Sequence, residues 1–285
     1  LTAPTGQTGP VRAADRLFAL TPDGALREVP ATDAPGTLLA ADSWLVADGR
    51  VRALARHRRR FTATCAEAGG LPGALLDTFW TGMAALLPRG PGHWFPRVEL
   101  ETATADATPD TVLPGGHRLL YRLRPAPALS TTARVWGLAV RDPRRTPRHK
   151  GPDLGALAAV RSRATAAEAD EALLVTADGV VLEAANSSLL WWEEDVLCHP
   201  PAELPVLPGV TAALLLERAA RTGVTVRPAR RRLSALAGRE VWVANALHGL
   251  RPVTAWTGSS LPAGAPLHAA AWQSWLDGQR TPLRS

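Results

Sequence analysis

A proline- and arginine-rich stretch, Asp142 to Pro152, interrupts the chain near its middle and limits what it can fold into. Proline supplies no amide and breaks both helices and inner strands, so the stretch reads as a connection between two parts. Before it, Trp44-Leu45-Val46 reads as a strand that ends at the turn pair Asp48-Gly49. Segments 51–68 and 71–87 read as helices, the second carrying Leu75, Leu76, Phe79, Met83, Leu86 and Leu87 on one broad face. Segments 94–100, 119–123 and 135–140 read as strands. After the stretch, 154–167 reads as a helix, and two hairpins pair 172–175 with 180–182 and 189–192 with 196–198. Pro208-Gly209-Val210-Thr211 opens a helix that Gly223 stops. Segments 224–226 and 241–244 are further strands, and no internal repeat is visible. Residues 1–10, rich in Thr, Gly and Pro, read as a loose tail. The pattern predicts an α+β fold in two parts, residues 1–144 and 145–285.

A chain of 285 residues with 46% hydrophobic and 20% charged residues is globular. It has no apolar run long enough to span a bilayer, so no membrane partner is expected. The start lacks a charged segment followed by an apolar run, so no secretory signal is expected. The two cysteines, Cys65 and Cys198, have neither metal-ligand spacing nor a disulfide framework, which predicts no metal and a reducing, cytoplasmic setting. Two basic runs, Arg56 to Arg60 and Arg230 to Arg232, raise nucleic acid as a partner. Aromatic residues do not interleave with them, and a solvated face is the expected reading.

Lysine is almost absent. Of 32 Lys and Arg residues, every one except Lys150 is arginine. Arginine holds its charge too firmly to act as a neutral amine nucleophile, whereas lysine can, above all by forming a Schiff base. Lys150 lies at the far end of the Pro/Arg stretch. A lone Schiff-base lysine also suits an aldolase. Pyridoxal phosphate chemistry needs an acid for the pyridine nitrogen, an anion cradle and usually an arginine. Glu183 ends a strand run amid small residues, Val180 to Asn186. Leu207 to Thr211 supplies a helix N-terminus with the Thr211 hydroxyl, and Arg60 follows His57 by three residues on a helix.

These pieces, in this order, resemble the class IV aminotransferases, the fold-type IV pyridoxal phosphate enzymes. That family includes branched-chain and D-amino acid aminotransferases and 4-amino-4-deoxychorismate lyases. His57 with Arg60-Phe61 resembles its His-x-x-Arg-Leu signature, and Arg148-His149-Lys150 resembles the segment of the cofactor lysine. Residues 169–183 resemble the strand pair that delivers the acid. Leu207 to Thr211 resembles the Leu-Pro-Gly-Ile-Thr phosphate loop, and 241–253 resembles the late signature ending in Pro252-Val253. The resemblance spans about residues 42–256 and is densest from 148 onward. It implies a smaller N-terminal α/β domain, a larger C-terminal pseudo-barrel domain and a homodimer. It also implies a pyridoxal phosphate site made of Arg60, Lys150, Glu183, Ser188, Val210, Thr211, Asn245 and Ala246, with Lys150 as the catalytic acid–base.

Within that family, Asn245-Ala246-Leu247 and Trp191 are more similar to the lyases than to the aminotransferases. No tyrosine follows Lys150 as it does in the branched-chain enzymes. Ser188 stands where the family usually has Asn, Ala246 where aminotransferases have Thr, and the segment between Asp48-Gly49 and His57 is short. The expected activity is conversion of 4-amino-4-deoxychorismate, or a close amino-cyclohexadiene relative, to 4-aminobenzoate and pyruvate. A class IV transaminase is the alternative, and a non-catalytic family member a further one. A substrate of either class is a small amino-carboxylate. Arg52, Arg122, Arg124 and Arg251 are candidates for its carboxylates, and His248 is a candidate lining residue.

Overall fold

The computed structural model describes residues 15–30 and 36–283; the tail expected at 1–10 lies outside them. The first part of the chain runs β1 (Arg16–Leu20), β2 (Leu26–Val29), β3 (Leu38–Ser43), β4 (Val46–Ala47), β5 (Arg50–Arg52), α1 (Leu54–Gly69), α2 (Gly73–Ala85), β6 (His93–Trp94), β7 (Arg97–Thr102) and β8 (His117–Leu123). The second runs β9 (Ala133–Arg141), α3 (Leu154–Ala166), β10 (Glu171–Val175), β11 (Val181–Ala184), β12 (Ser188–Glu193), β13 (Val196–His199), α4 (Val210–Thr222), β14 (Thr225–Pro228), β15 (Val241–Asn245), β16 (Gly249–Thr257), α5 (Ala269–Gly278) and β17 (Arg280–Pro282).

In the first part an antiparallel sheet, β2-β1-β8-β7-β3, lies beside α1 and α2. Phe61, Leu76, Phe79 and Met83 from the helices pack with Phe18, Val98 and Tyr121 from the strands in one core. Trp44 and Leu45, expected in a strand, instead fill that core between β3 and β4. The turn pair Asp48-Gly49 takes left-handed backbone at both positions, and β4 and β5 pair across it as a hairpin. Ala53, also left-handed at φ 48°, turns β5 straight into α1. The short segment before His57 thus holds one sharp corner.

The second part is an eight-stranded sheet in the order β11-β10-β9-β16-β15-β12-β13-β14. Its two edges meet: the Val181 amide donates to Arg231 O at 2.8 Å, and Val180 bridges Arg232. The sheet therefore curls into the expected pseudo-barrel. Side chains sort to two faces with the period of a strand. Leu189 and Trp191 of β12 point into the barrel core, whereas Leu190 and Trp192 pack under α4 and α5. Likewise Leu173 and Val175 of β10 face inward, and Ala172 and Leu174 face α3.

Pairing crosses the line drawn at residue 144 in both directions. β9, which precedes it, pairs in parallel with β10 and β16 at the centre of the barrel sheet. β17, at the far end of the chain, joins the small sheet β17-β5-β4-β6 in the first part.

Candidate active site

A cleft of about 920 Å3 opens between the two parts. Its floor is made where β3 of the first part meets the connection after β9. The Ala41 amide donates to Lys150 O at 2.7 Å. Gly151 follows at φ +139°, and a Cβ there would lie 2.7 Å from the Ala40 backbone. Only glycine lets the two backbones touch in this way, and the contact fixes Lys150 against β3. Lys150 keeps part of its surface open to the cleft while protein surrounds the rest. That burial pulls its ammonium from 10.5 to about 8, with Arg60 and Arg97 acting the same way and Asp42 and Glu183 opposing.

At one end of the cleft lies Glu183, on β11 and almost wholly buried. Its Oε1 accepts from Arg144 Nη1 at 2.6 Å and from the Leu207 amide at 2.8 Å. Its Oε2 receives no hydrogen bond among the described residues. Burial pushes the Glu183 carboxyl up, and Arg144 and the Leu207 amide pull against it. Asp142 in turn holds Arg144 through Nε and Nη2.

At the other end, α4 begins at Val210 with no side chain capping its first turn. Its free amides make it an anion site in combination with what surrounds it. Thr211 and Ser188 border the same space. A Cβ at Gly209 would run into Ser188 Oγ, so glycine there keeps the cradle open. Arg60, on α1, reaches across to donate through Nη1 to Pro208 O at 2.9 Å. Its other edge is clamped by the fully buried Asp42: Nε to Oδ2 at 2.9 Å and Nη2 to Oδ1 at 2.8 Å. His57 Nδ1 lies 2.9 Å from the same Oδ1.

Asn245 borders the cleft and shapes the late loop with its amide. Its Oδ1 accepts from the amides of Leu247 and His248, and its Nδ2 donates to Ser187 Oγ. Ala246 and His248 border the cleft beside it. His248 Nδ1 accepts from the Ser130 amide at 3.2 Å, and burial, helped by Arg251, lowers its pKa to about 4. It is therefore neutral at physiological pH. Arg251 borders the cleft but is tied to the buried Glu171 at 3.2 Å and to Ser130 Oγ at 3.1 Å.

Two of the candidate carboxylate partners lie elsewhere. Arg52 is buried between β5 and α5, with Nη1 3.6 Å from Asp277 and 6% of its surface exposed. Arg122 pairs with Glu99 at 3.7 Å and does not border the cleft. Arg97, opposite Arg122 in the β7–β8 register, does border it, as does Arg124. Arg97 is held by Glu99 at 2.7 Å and Arg124 by Phe95 O at 2.9 Å. Tyr121 and Trp191 are core residues. His149, beside Lys150, borders the cleft and lies 2.9 Å from Glu67. The run Arg56 to Arg60 is largely spent on ion pairs within the chain: Arg56 with Glu217, Arg58 with Asp77 and Arg60 with Asp42.

Sequence reading passed over Asp42, Arg97 and Arg144. The one signal for Asp42 was an acid directly after the apolar run Leu38 to Ala41. Arg97 and Arg144 carried none in a chain so rich in arginine.

The sequence matches the family of class IV amino-transferases over residues 39–256, and the chain belongs to that family of enzymes. No curated protein sequence matches it. Its fold is similar to that of a hypothetical aminotransferase from Mycobacterium tuberculosis with alpha-ketoglutarate and PMP bound, at TM-score 0.75 and 18% identity over 92% of this chain and 98% of that one. It is similar to the branched-chain amino acid aminotransferase of Escherichia coli, at TM-score 0.74 and 17% identity over 93% and 94%. It is also similar to a Legionella pneumophila protein provisionally named 4-amino-4-deoxychorismate lyase, at TM-score 0.68 and 16% identity over 86% and 91%. The Mycobacterium tuberculosis protein is also known in a PLP-bound form.

The residues of the cleft fit pyridoxal phosphate. They provide a crowded amine, a buried carboxyl with one uncommitted oxygen, and an uncapped helix start kept open by Gly209 beside an arginine.

Proposed function

We propose that the protein is a pyridoxal phosphate-dependent lyase that splits 4-amino-4-deoxychorismate, or a close amino-cyclohexadiene relative, into 4-aminobenzoate and pyruvate. One arrangement carries this reading. Lys150, the only lysine in the chain, shares its cleft with Glu183 and the α4 cradle and with two arginines, Arg97 and Arg124. Two guanidiniums suit a substrate with two carboxylates.

In this reading Arg60, Ser188, Val210 and Thr211 hold the phosphate, and Ala246, which has no hydroxyl, contributes only backbone. Asn245 supports that loop. Glu183 holds the pyridine nitrogen through Oε2 while Arg144 fixes Oε1. Bound there, pyridoxal phosphate supplies an electron sink for the amine-bearing carbon of the substrate. Lys150 Nζ takes the proton from that carbon as general base. Arg97 and Arg124 orient the carboxylates, and neutral His248 offers Nε2–H at the cleft wall. The atoms of the substrate divide completely between the two products. The ring proton reappears on the departing three-carbon unit, so no second substrate is required.

The same residues serve a transaminase, whose substrates also carry carboxylates. A product assay separates the two. The lyase releases pyruvate and 4-aminobenzoate from aminodeoxychorismate with no keto acid added. Absence of pyruvate, together with amine exchange that depends on 2-oxoglutarate, replaces the lyase with the transaminase.

A further inference from the structure

We propose that Asp42 is a positioning residue for the phosphate end of the cofactor site, acting by aiming Arg60 at the α4 cradle. The inference rests on the reading of Arg60 as a phosphate ligand and goes one step behind it. Asp42 sits on β3 with no exposed surface, and both its oxygens are engaged. Oδ2 takes Arg60 Nε; Oδ1 takes Arg60 Nη2, His57 Nδ1 and the Ser43 amide at 2.8 Å. A guanidinium gripped along its Nε–Nη2 edge has one remaining direction for Nη1, and that nitrogen points to Pro208 O at the start of α4. Arg60 is a long side chain on a helix of the first part, and the cradle belongs to the second. Without the clamp its rotamers spread, and the cost of ordering it falls on cofactor binding.

Burial alone would push the Asp42 carboxyl up. Arg60 and His57 outweigh it and hold the group ionised, well below the usual carboxylate range. The clamp is therefore charged across the working pH range. β3 has a second task one residue earlier, where the Ala41 amide holds Lys150 O. Neighbouring residues of a single strand thus set both the amine and the phosphate arginine.

The test is titration of cofactor-free protein with pyridoxal phosphate and, separately, with pyridoxal, which lacks the phosphate. The variants are Asp42→Asn, Arg60→Gln and the double variant. Asp42→Asn is expected to weaken pyridoxal phosphate by about tenfold or more and pyridoxal by less than about twofold, the loss of a charge-assisted clamp being of that size. Added to Arg60→Gln, it should change affinity little, because its effect passes through Arg60. Equal loss for both ligands assigns Asp42 a merely structural role and overturns the proposal, as does parental affinity for pyridoxal phosphate in Asp42→Asn. Parental affinity in Arg60→Gln overturns the phosphate reading itself, a different result. Should Asp42→Asn fail to fold, Asp42→Ser, which keeps an acceptor without the charge, is read in the same way.

Discussion

Burial acts on Lys150 as it cannot on the buried arginines Arg118 and Arg251. A guanidinium stays charged where an ammonium gives up its proton, and the crowding around Lys150 lowers it to about 8. This has a thermodynamic consequence for the cofactor-free protein. Below about pH 8 the lysine is protonated in both folded and unfolded chains, and the folded state bears the full desolvation penalty. Between about 8 and 10.5 the folded state binds fewer protons than the unfolded one, so stability from this group rises with pH. Lys150→Met, close in volume, is expected to stabilise the cofactor-free protein at pH 7, by on the order of 1–3 kcal/mol. The gain should shrink as pH climbs through that window. Thermal unfolding at pH 7 and pH 10 measures it, and a gain independent of pH contradicts the assignment. Lys150, Glu183 and Thr211 were legible as residues because each belongs to a run with its own local pattern. Asp42 and Arg144 were not, because their meaning lies in partners 18 and 39 positions away.

At the scale of elements, the start of α4 was the plainest signal in the sequence, and the structure shows what its glycine does. Gly209 makes room for the neighbour across from it: a Cβ would strike Ser188 Oγ and force that hydroxyl to another rotamer, while Ser188 Cβ and Ala212 Cβ lie at ordinary distances of 3.4 and 3.5 Å. Gly209→Ala is therefore expected to weaken pyridoxal phosphate by about tenfold. Ser188→Ala alone should cost a similar factor, because it removes the same hydroxyl, and adding it to Gly209→Ala should cost little more. Equilibrium titration of the three variants decides it; fully additive losses in the double variant mean that Gly209 acts independently of the Ser188 hydroxyl. Strands were legible where alternation ran for several residues, as in β10 and β12. They were lost where only three residues pair, as in β5 and β17, since so short a run has no period to read. The hairpin of β1 with β2 and helix α5 also went unread. The five-residue and four-residue strands of that hairpin are recognisable mainly by their pairing with each other and with β8.

In the whole molecule, no single part of the chain holds the site. Arg60, with Asp42 behind it, comes from the first part, Lys150 from the connection, and Glu183 and Thr211 from the barrel; only folding brings them together at one cleft. The proline- and arginine-rich stretch marked the connection, but β9 before it belongs to the barrel and β17 returns to the first sheet. Local composition indicates where a chain changes character, whereas sheet membership is settled by pairing partners distant in sequence. In the proposed function this folded assembly presents Lys150 to pyridoxal phosphate. Borohydride reduction of the native protein with bound cofactor, followed by peptide mass mapping, tests it directly because no second lysine exists. The label is expected on Lys150 alone, absent from Lys150→Ala and from protein unfolded before the cofactor is added. A Lys150→Ala variant that still carries the reduced cofactor contradicts the account.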